Sequence, residues 1–258
     1  MKIAITGKGG VGKTTLTSLL AYAYAERGNR VLAIDGDPAP CLGQALGVPD
    51  EKLRELTPIA EMDELIFERT GAQPGTTGGF FKLNPRVDDL PDRFAAEHRG
   101  IKMLEMGAVD LGGSGCICPE SAILRSLVTH ILLRRDEVVL LDMYAGVEHL
   151  GRATADAVDA MLIVVEPTAR SLGTAAQIKA LAQDIKLEKL FIVGSKVQDA
   201  QDRTFIEEHS PGLPVLGFIP DDPMVRQADR ERTALYDLAP ALVEATNEII
   251  TKLEAALA

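Results

Sequence analysis

Short apolar runs recur along the chain, and stretches of helical spacing fill the intervals between them. The runs at 2–6 (KIAIT), 30–34 (RVLAI), 101–106 (IKMLEM), 137–141 (EVVLL), 160–165 (AMLIVV), 189–193 (KLFIV) and 214–219 (PVLGFI) read as strands. They are nearly continuous in apolar character and do not alternate, the pattern of strands covered on both faces. Helices are expected at 13–27, 51–56, 61–69, 121–134, 151–158, 171–185 and 202–209, with a final helix or pair over 224–257. Gly28-Asn29 supplies the stop after the first of them. Strand alternating with helix predicts an α/β protein: a mostly parallel twisted sheet of seven or eight strands, flanked by helices on both faces. No repeat or linker interrupts the pattern, so 1–258 reads as a single domain. Residues 50–100 are the least regular part. Within them the Gly/Thr/Pro-rich 71–79 reads as a functional or mobile loop, and Phe80 and Phe81 are expected to anchor its far side in apolar contacts.

The first strand runs into Gly7-Lys8-Gly9-Gly10-Val11-Gly12-Lys13-Thr14, and Thr15 continues into the first helix. Strand, glycine-rich turn, Lys-Thr and helix is the context of a phosphate-binding loop, which makes the fold a P-loop NTPase. Backbone N–H groups from Gly9, Gly10, Val11 and Gly12 through Lys13, Thr14 and Thr15 would wrap the phosphates, helped by the helix N-terminus. Lys13 would reach the β- and γ-phosphates, and the Thr14 hydroxyl would ligate Mg²⁺. Lys8 is a second cation that the general cradle does not require, and it points to a nucleotide on another chain.

Two further strands end in acids. Asp35-Gly36-Asp37-Pro38 closes the second, at the edge where open α/β sheets bind ligands. Asp37 is the better candidate there for positioning the attacking water or the magnesium shell. Asp142, after four apolar residues, has the Walker-B arrangement and would hold a magnesium water. Ser195-Lys196 falls where a base-reading loop would lie. Residue 198 is Gln, so the carboxylate a guanine reader needs is missing and ATP is preferred over GTP.

Composition narrows the class. Lys plus Arg number 27 against 38 Asp plus Glu, a net charge of −11, which disfavours sequence-independent DNA binding. No run approaches the eighteen or so apolar residues of a membrane span. The chain enters a strand directly, leaving no visible signal peptide. Three cysteines are an odd count and no disulfide framework, which favours a reducing cytoplasm.

Two of those cysteines, Cys116 and Cys118, stand at the start of the 121–134 helical pattern, where a helix N-terminus favours the thiolate. Metal or redox chemistry is the expected use. Two ligands do not complete a structural tetrahedral site, which takes four. Cys41 could contribute, although Leu42, Leu46 and Val48 around it suggest packing. A two-fold axis bringing Cys116 and Cys118 from each of two chains is the simpler source, giving one metal per homodimer. Soft thiolates suit Zn²⁺, and Ni²⁺ fits a planar arrangement.

On these residues the chain resembles the deviant Walker-A ATPases of the MinD/nitrogenase-iron-protein group, over essentially its whole length. Gly7 to Thr14 matches the group motif. Gly113-Ser114-Gly115-Cys116-Ile117-Cys118-Pro119-Glu120 and Ala145-Gly146-Val147-Glu148-His149-Leu150-Gly151-Arg152 make it most similar to the branch that matures the nickel site of carbon monoxide dehydrogenase. The resemblance implies an ATPase in which Lys8 contacts phosphate across an ATP-bound dimer, Asp37 orients water and Asp142 sits in a second switch. It also implies that Cys116 and Cys118 bind nickel, or zinc as a mimic, for carbon monoxide dehydrogenase as client. The alternatives are an iron–sulfur redox ATPase using the same cysteines and a positioning ATPase acting on DNA or membrane.

Overall fold

The computed structural model describes residues 1–73, 80–107, 119, 122–123, 126–127, 136–143 and 158–258. Among them eight strands form one sheet: β1 (Lys2–Gly7), β2 (Arg30–Gly36), β3 (Ala96–His98), β4 (Ile101–Glu105), β5 (Glu137–Met143), β6 (Ala160–Val165), β7 (Leu190–Val197) and β8 (Val215–Pro220). Their order is β3-β4-β2-β5-β1-β6-β7-β8. All neighbours pair parallel except β3 with β4, a short antiparallel edge hairpin. The seven expected strands are all present. The eighth, β3, is polar and only partly covered, so it carried no apolar signal.

Helices with both ends among the described residues are α1 (Lys13–Glu26), α2 (Leu42–Ala45), α3 (Asp50–Glu55), α4 (Asp63–Thr70), α5 (Leu90–Phe94), α6 (Ala169–Asp184), α7 (Ala200–His209), α8 (Met224–Glu231), α9 (Leu235–Leu238) and α10 (Pro240–Leu257). The sheet separates two apolar cores. Ile3 and Ile5 of β1 pack with α1 and α10 on one face, while Ala4 joins Leu32, Ile34 and α6 on the other. This period-two division of apolar residues is why the strands read as continuous hydrophobic runs. α1 is buried along most of its length, from Leu16 to Tyr24. It ends where Gly28 takes φ +85° and Asn29 donates its N–H to the Tyr24 carbonyl, the stop the Gly-Asn pair implied.

Several local expectations change. The stretch 224–257 is three helices, because Arg232 turns left-handed at φ +52° and Pro240 starts α10. Phe80 is fully exposed and anchors nothing among the described residues. Of the pattern at 121–134, Ala122, Ile123, Ser126 and Leu127 are helical and buried, as is Pro119 before it. Residues 74–79, Cys116, Cys118 and the run 144–157 with its expected helix lie outside the described residues.

Candidate nucleotide site

The C-terminal edge of the central strands gathers the candidate residues. β1 is flanked by β5 and β6, and β2 lies beyond β5, so the ends at Gly7, Gly36, Met143 and Val165 lie along one edge. Gly7 leaves β1 at φ +148°, opposite Val164 of β6. Gly12 caps α1 at φ +100° in the left-handed region. α1 has no side-chain cap and no acid in its first turn. Its leading N–H groups are therefore left to an anion, as a phosphate cradle requires.

Lys13 is buried, and its ammonium donates to the Lys8 carbonyl at 3.3 Å. Burial lowers its pKa, while Asp142 and Asp37 pull the other way. Asp142 is 2% exposed, and neither carboxylate oxygen has a hydrogen-bond partner among the described residues. Burial pushes its carboxyl up to about 7. The nearby Thr14 hydroxyl and Lys13 counter that push, and Asp35 and Asp37 add to it. A buried carboxylate beside a threonine hydroxyl fits a divalent cation, since hard cations take oxygen ligands and Thr14 and Lys13 only partly offset its burial.

Proton and Mg²⁺ then compete for Asp142. Titration calorimetry with Mg²⁺ and nucleotide is expected to show affinity falling as pH drops below about 7, with little change above 8.

Asp35 pairs in register with Asp142 but has a different task. Its carboxylate accepts the N–H groups of Asp37 (3.0 Å), Cys41 (2.9 Å) and Leu42 (2.8 Å), which folds 36–42 into a tight loop. Burial raises its pKa and those three amides oppose the rise. Asp37 is half-buried, and one oxygen accepts the Ala39 N–H at 2.9 Å. That placement is compatible with a water-positioning role. Cys41 is exposed and does not pack; Leu42, Leu46 and Val48 turn inward without it.

Ser195 and Lys196 lie on β7, extended past the expected loop by a bulge against β8. Ser195 abuts the phosphate loop: a Cβ at Gly12 would come within 2.9 Å of its hydroxyl. Lys196 at φ +57° donates to the Gly10 carbonyl at 2.6 Å. Both residues thus brace the phosphate loop. On the α1 side a cavity of about 290 Å³ runs from Thr15 and Ser18 to Gln44, Val225, Arg226 and Asp229. Its rim is tied by Gln44, whose amide donates to Asp229 Oδ1 at 3.2 Å, joining α2 to α8. A helix was expected over this stretch, but no motif in α8 marked it as part of the site. Glu166, just past β6, was also missed, although an acid directly after a strand at the ligand edge was a usable signal.

The CobQ/CobB/MinD/ParA nucleotide-binding domain model matches residues 2–235. The chain belongs to that family. It is an ATPase by that membership and by its relatives. It is 49% identical over 253 residues to the carbon monoxide dehydrogenase accessory protein CooC of Rhodospirillum rubrum, covering 98% of this chain and 96% of that protein. Solved structures share the fold. A ParA family ATPase from Chlorobium tepidum superposes with TM-score 0.70 at 17% identity, over 98% of this chain and 96% of its own. The septum site-determining protein MinD of Pyrococcus horikoshii, complexed with Mg-ADP, does so with TM-score 0.66 at 20% identity, over 100% and 98%. The eight-stranded sheet is the fold of this MinD/ParA family, as the strand pattern and phosphate loop implied. No helix among the described residues is long and apolar enough to cross a membrane.

Proposed function

We propose that this ATPase delivers a metal ion to carbon monoxide dehydrogenase. The observation that carries the reading is its 49% identity with CooC along 98% of the chain, together with the Cys-x-Cys at 116–118. Gly9 through Thr15 hold the phosphates, with Lys13 in the same chain as its nucleotide. Mg²⁺, held through Thr14 and Asp142, supplies charge neutralisation for the phosphates. Asp37 orients water. The cavity beside Thr15 and Ser18 accepts the nucleoside, placing Arg226 and Asp229 beside it and leaving Ser195 and Lys196 to support the loop.

Lys8 reaches a nucleotide bound by a second copy, so ATP draws two chains together. Closure brings Cys116 and Cys118 of each chain into bonding reach of one Ni²⁺ or Zn²⁺ cargo ion, since metal–sulfur bonds are only about 2.3 Å long. Hydrolysis removes the γ-phosphate contact, the pair loosens and the ion leaves for the client. The net charge of −11 supports action away from nucleic acid and membranes, and the odd cysteine count supports a reducing cytoplasm.

Metal-to-protein stoichiometry in the presence and absence of a non-hydrolysable ATP analogue tests this. One ion per two chains is expected with the analogue. Cys118→Ser should abolish tight binding while nucleotide affinity is kept. A lone protomer holding its full metal complement, or Cys118→Ser still binding one ion per dimer, overturns the reading. So does a protein that purifies with the charge-transfer absorbance of an iron–sulfur cluster.

A further inference from the structure

Glu166 is built into the mouth of the phosphate loop. Its N–H donates to Ser171 Oγ at 3.1 Å, and its carbonyl accepts the Thr168 N–H at 2.7 Å. The Thr168 hydroxyl lies 3.4 Å from Oε1, and the same hydroxyl caps α6 by accepting the Ser171 N–H at 3.3 Å. A tight turn and a helix start therefore fix where the carboxylate stands. There it meets Lys8 Nζ at 3.6 Å through Oε1 and Lys196 Nζ at 3.7 Å through Oε2. The carboxylate is 22% exposed, against 38% for Lys8.

A fixed negative charge next to a triphosphate site opposes nucleotide binding through space, unless cations neutralise it. Lys196 has a second partner in the Gly10 carbonyl, which ties it to the loop. For Lys8, Glu166 is the charged partner among the described residues. Lys8 is also the cation that the functional reading sends to a second copy. One ammonium thus has two anionic destinations, a carboxylate in its own chain and a phosphate in the other.

We infer that Glu166 is an intrachain competitor for Lys8 that makes pairing of two copies conditional on a triphosphate. This rests on the assignment of Lys8 to the partner's nucleotide. A terminal phosphate carries more charge than one carboxylate and offers more acceptor oxygens, so ATP takes the lysine from Glu166. With the γ-phosphate gone, charge and reach both fall and Glu166 recovers Lys8. The competitor therefore discriminates ATP from ADP at the dimerisation step. Because a two-fold pair breaks the contact twice, a partly exposed ion pair suffices for about a three- to tenfold effect on dimerisation.

Sedimentation of the full chain with a non-hydrolysable ATP analogue, and separately with ADP, tests this in the wild type, Glu166→Gln, Lys8→Ala and the double variant. Glu166→Gln should shift the dimerisation midpoint with the analogue to about three- to tenfold lower protein concentration, and should yield dimer with ADP. Glu166→Asp, which withdraws the carboxylate by one methylene, should shift it the same way by less. Both shifts should vanish in the Lys8→Ala background. Unchanged or weaker dimerisation of Glu166→Gln, or a shift that persists without Lys8, overturns the competitor while the metal-delivery reading stands. Lys8→Ala dimerising like the wild type removes the trans-acting lysine itself, and both proposals fall together.

Discussion

Asp142→Asn should stabilise the nucleotide-free protein while nearly abolishing ATP hydrolysis. Asp142 is buried with both oxygens unpartnered among the described residues, and burial raises its pKa from the ordinary carboxylate range to about 7. A carboxyl raised in the folded state favours folding in its protonated form. That stability is complete below the unfolded pKa and is lost as pH rises through the folded one. At pH 8 the wild type therefore carries an ionised carboxylate whose burial Thr14 and Lys13 only partly offset, whereas the amide carries no charge. After allowance for the amide's own unmet hydrogen bonds, a net gain of about 1–2 kcal/mol is expected at pH 8. That corresponds to roughly 2–8 °C in melting temperature for a chain of this size. The gain should shrink toward pH 5, where the wild-type acid is protonated as well. Loss of the cation ligand should lower the hydrolysis rate about 10²–10³-fold. Thermal melts at both pH values, with phosphate release assayed alongside, check this. A variant less stable at every pH would show that Asp142 has compensating partners in the folded protein.

Gly7→Ala should damage fold and nucleotide binding together. A Cβ there would sit 2.3 Å from the Val164 carbonyl oxygen and 3.2 Å from Val11 Cγ2, on a backbone at φ +148° that side chains rarely adopt. The obstructing atom belongs to the neighbouring strand's backbone, so β1 and β6 must separate where the phosphate loop begins. A cost of about 2–4 kcal/mol is expected, with nucleotide affinity reduced more than tenfold because the loop moves with the strand end. Gly9→Ala is the control for stability: a Cβ at Gly9 meets nothing within 4 Å and its φ is ordinary, so its melting temperature should stay near that of the wild type. Urea titration and nucleotide binding on both variants separate the two effects.

Strand positions were legible in the chain because both faces of the sheet are covered, which leaves an uninterrupted apolar run for each buried strand. The phosphate loop was legible for a related reason. Its glycines, its lysine and the helix behind it act through their own backbone, and adjacent residues carry the whole device. β3 was missed because a three-residue polar edge has no burial to announce it. The division of 224–257 was missed because Arg232 in a left-handed turn has no compositional signal. Cys41 looked packed because its neighbours are apolar, yet the turn into α2 points them inward and leaves it outside.

What the chain alone determined is the class of chemistry: a phosphate cradle at the end of β1, acids at the ends of β2 and β5, and a Cys-x-Cys ahead of a helical pattern. What only the tertiary structure decided is how the charged residues divide the work. Asp35 spends its carboxylate on three amides, Asp142 keeps both oxygens unpartnered among the described residues, and Glu166 stands between Lys8 and Lys196. Sequence shows where an acid is, but its role follows from its burial and from its neighbours. Those neighbours come from strands and turns far away along the chain, brought together only when the sheet forms.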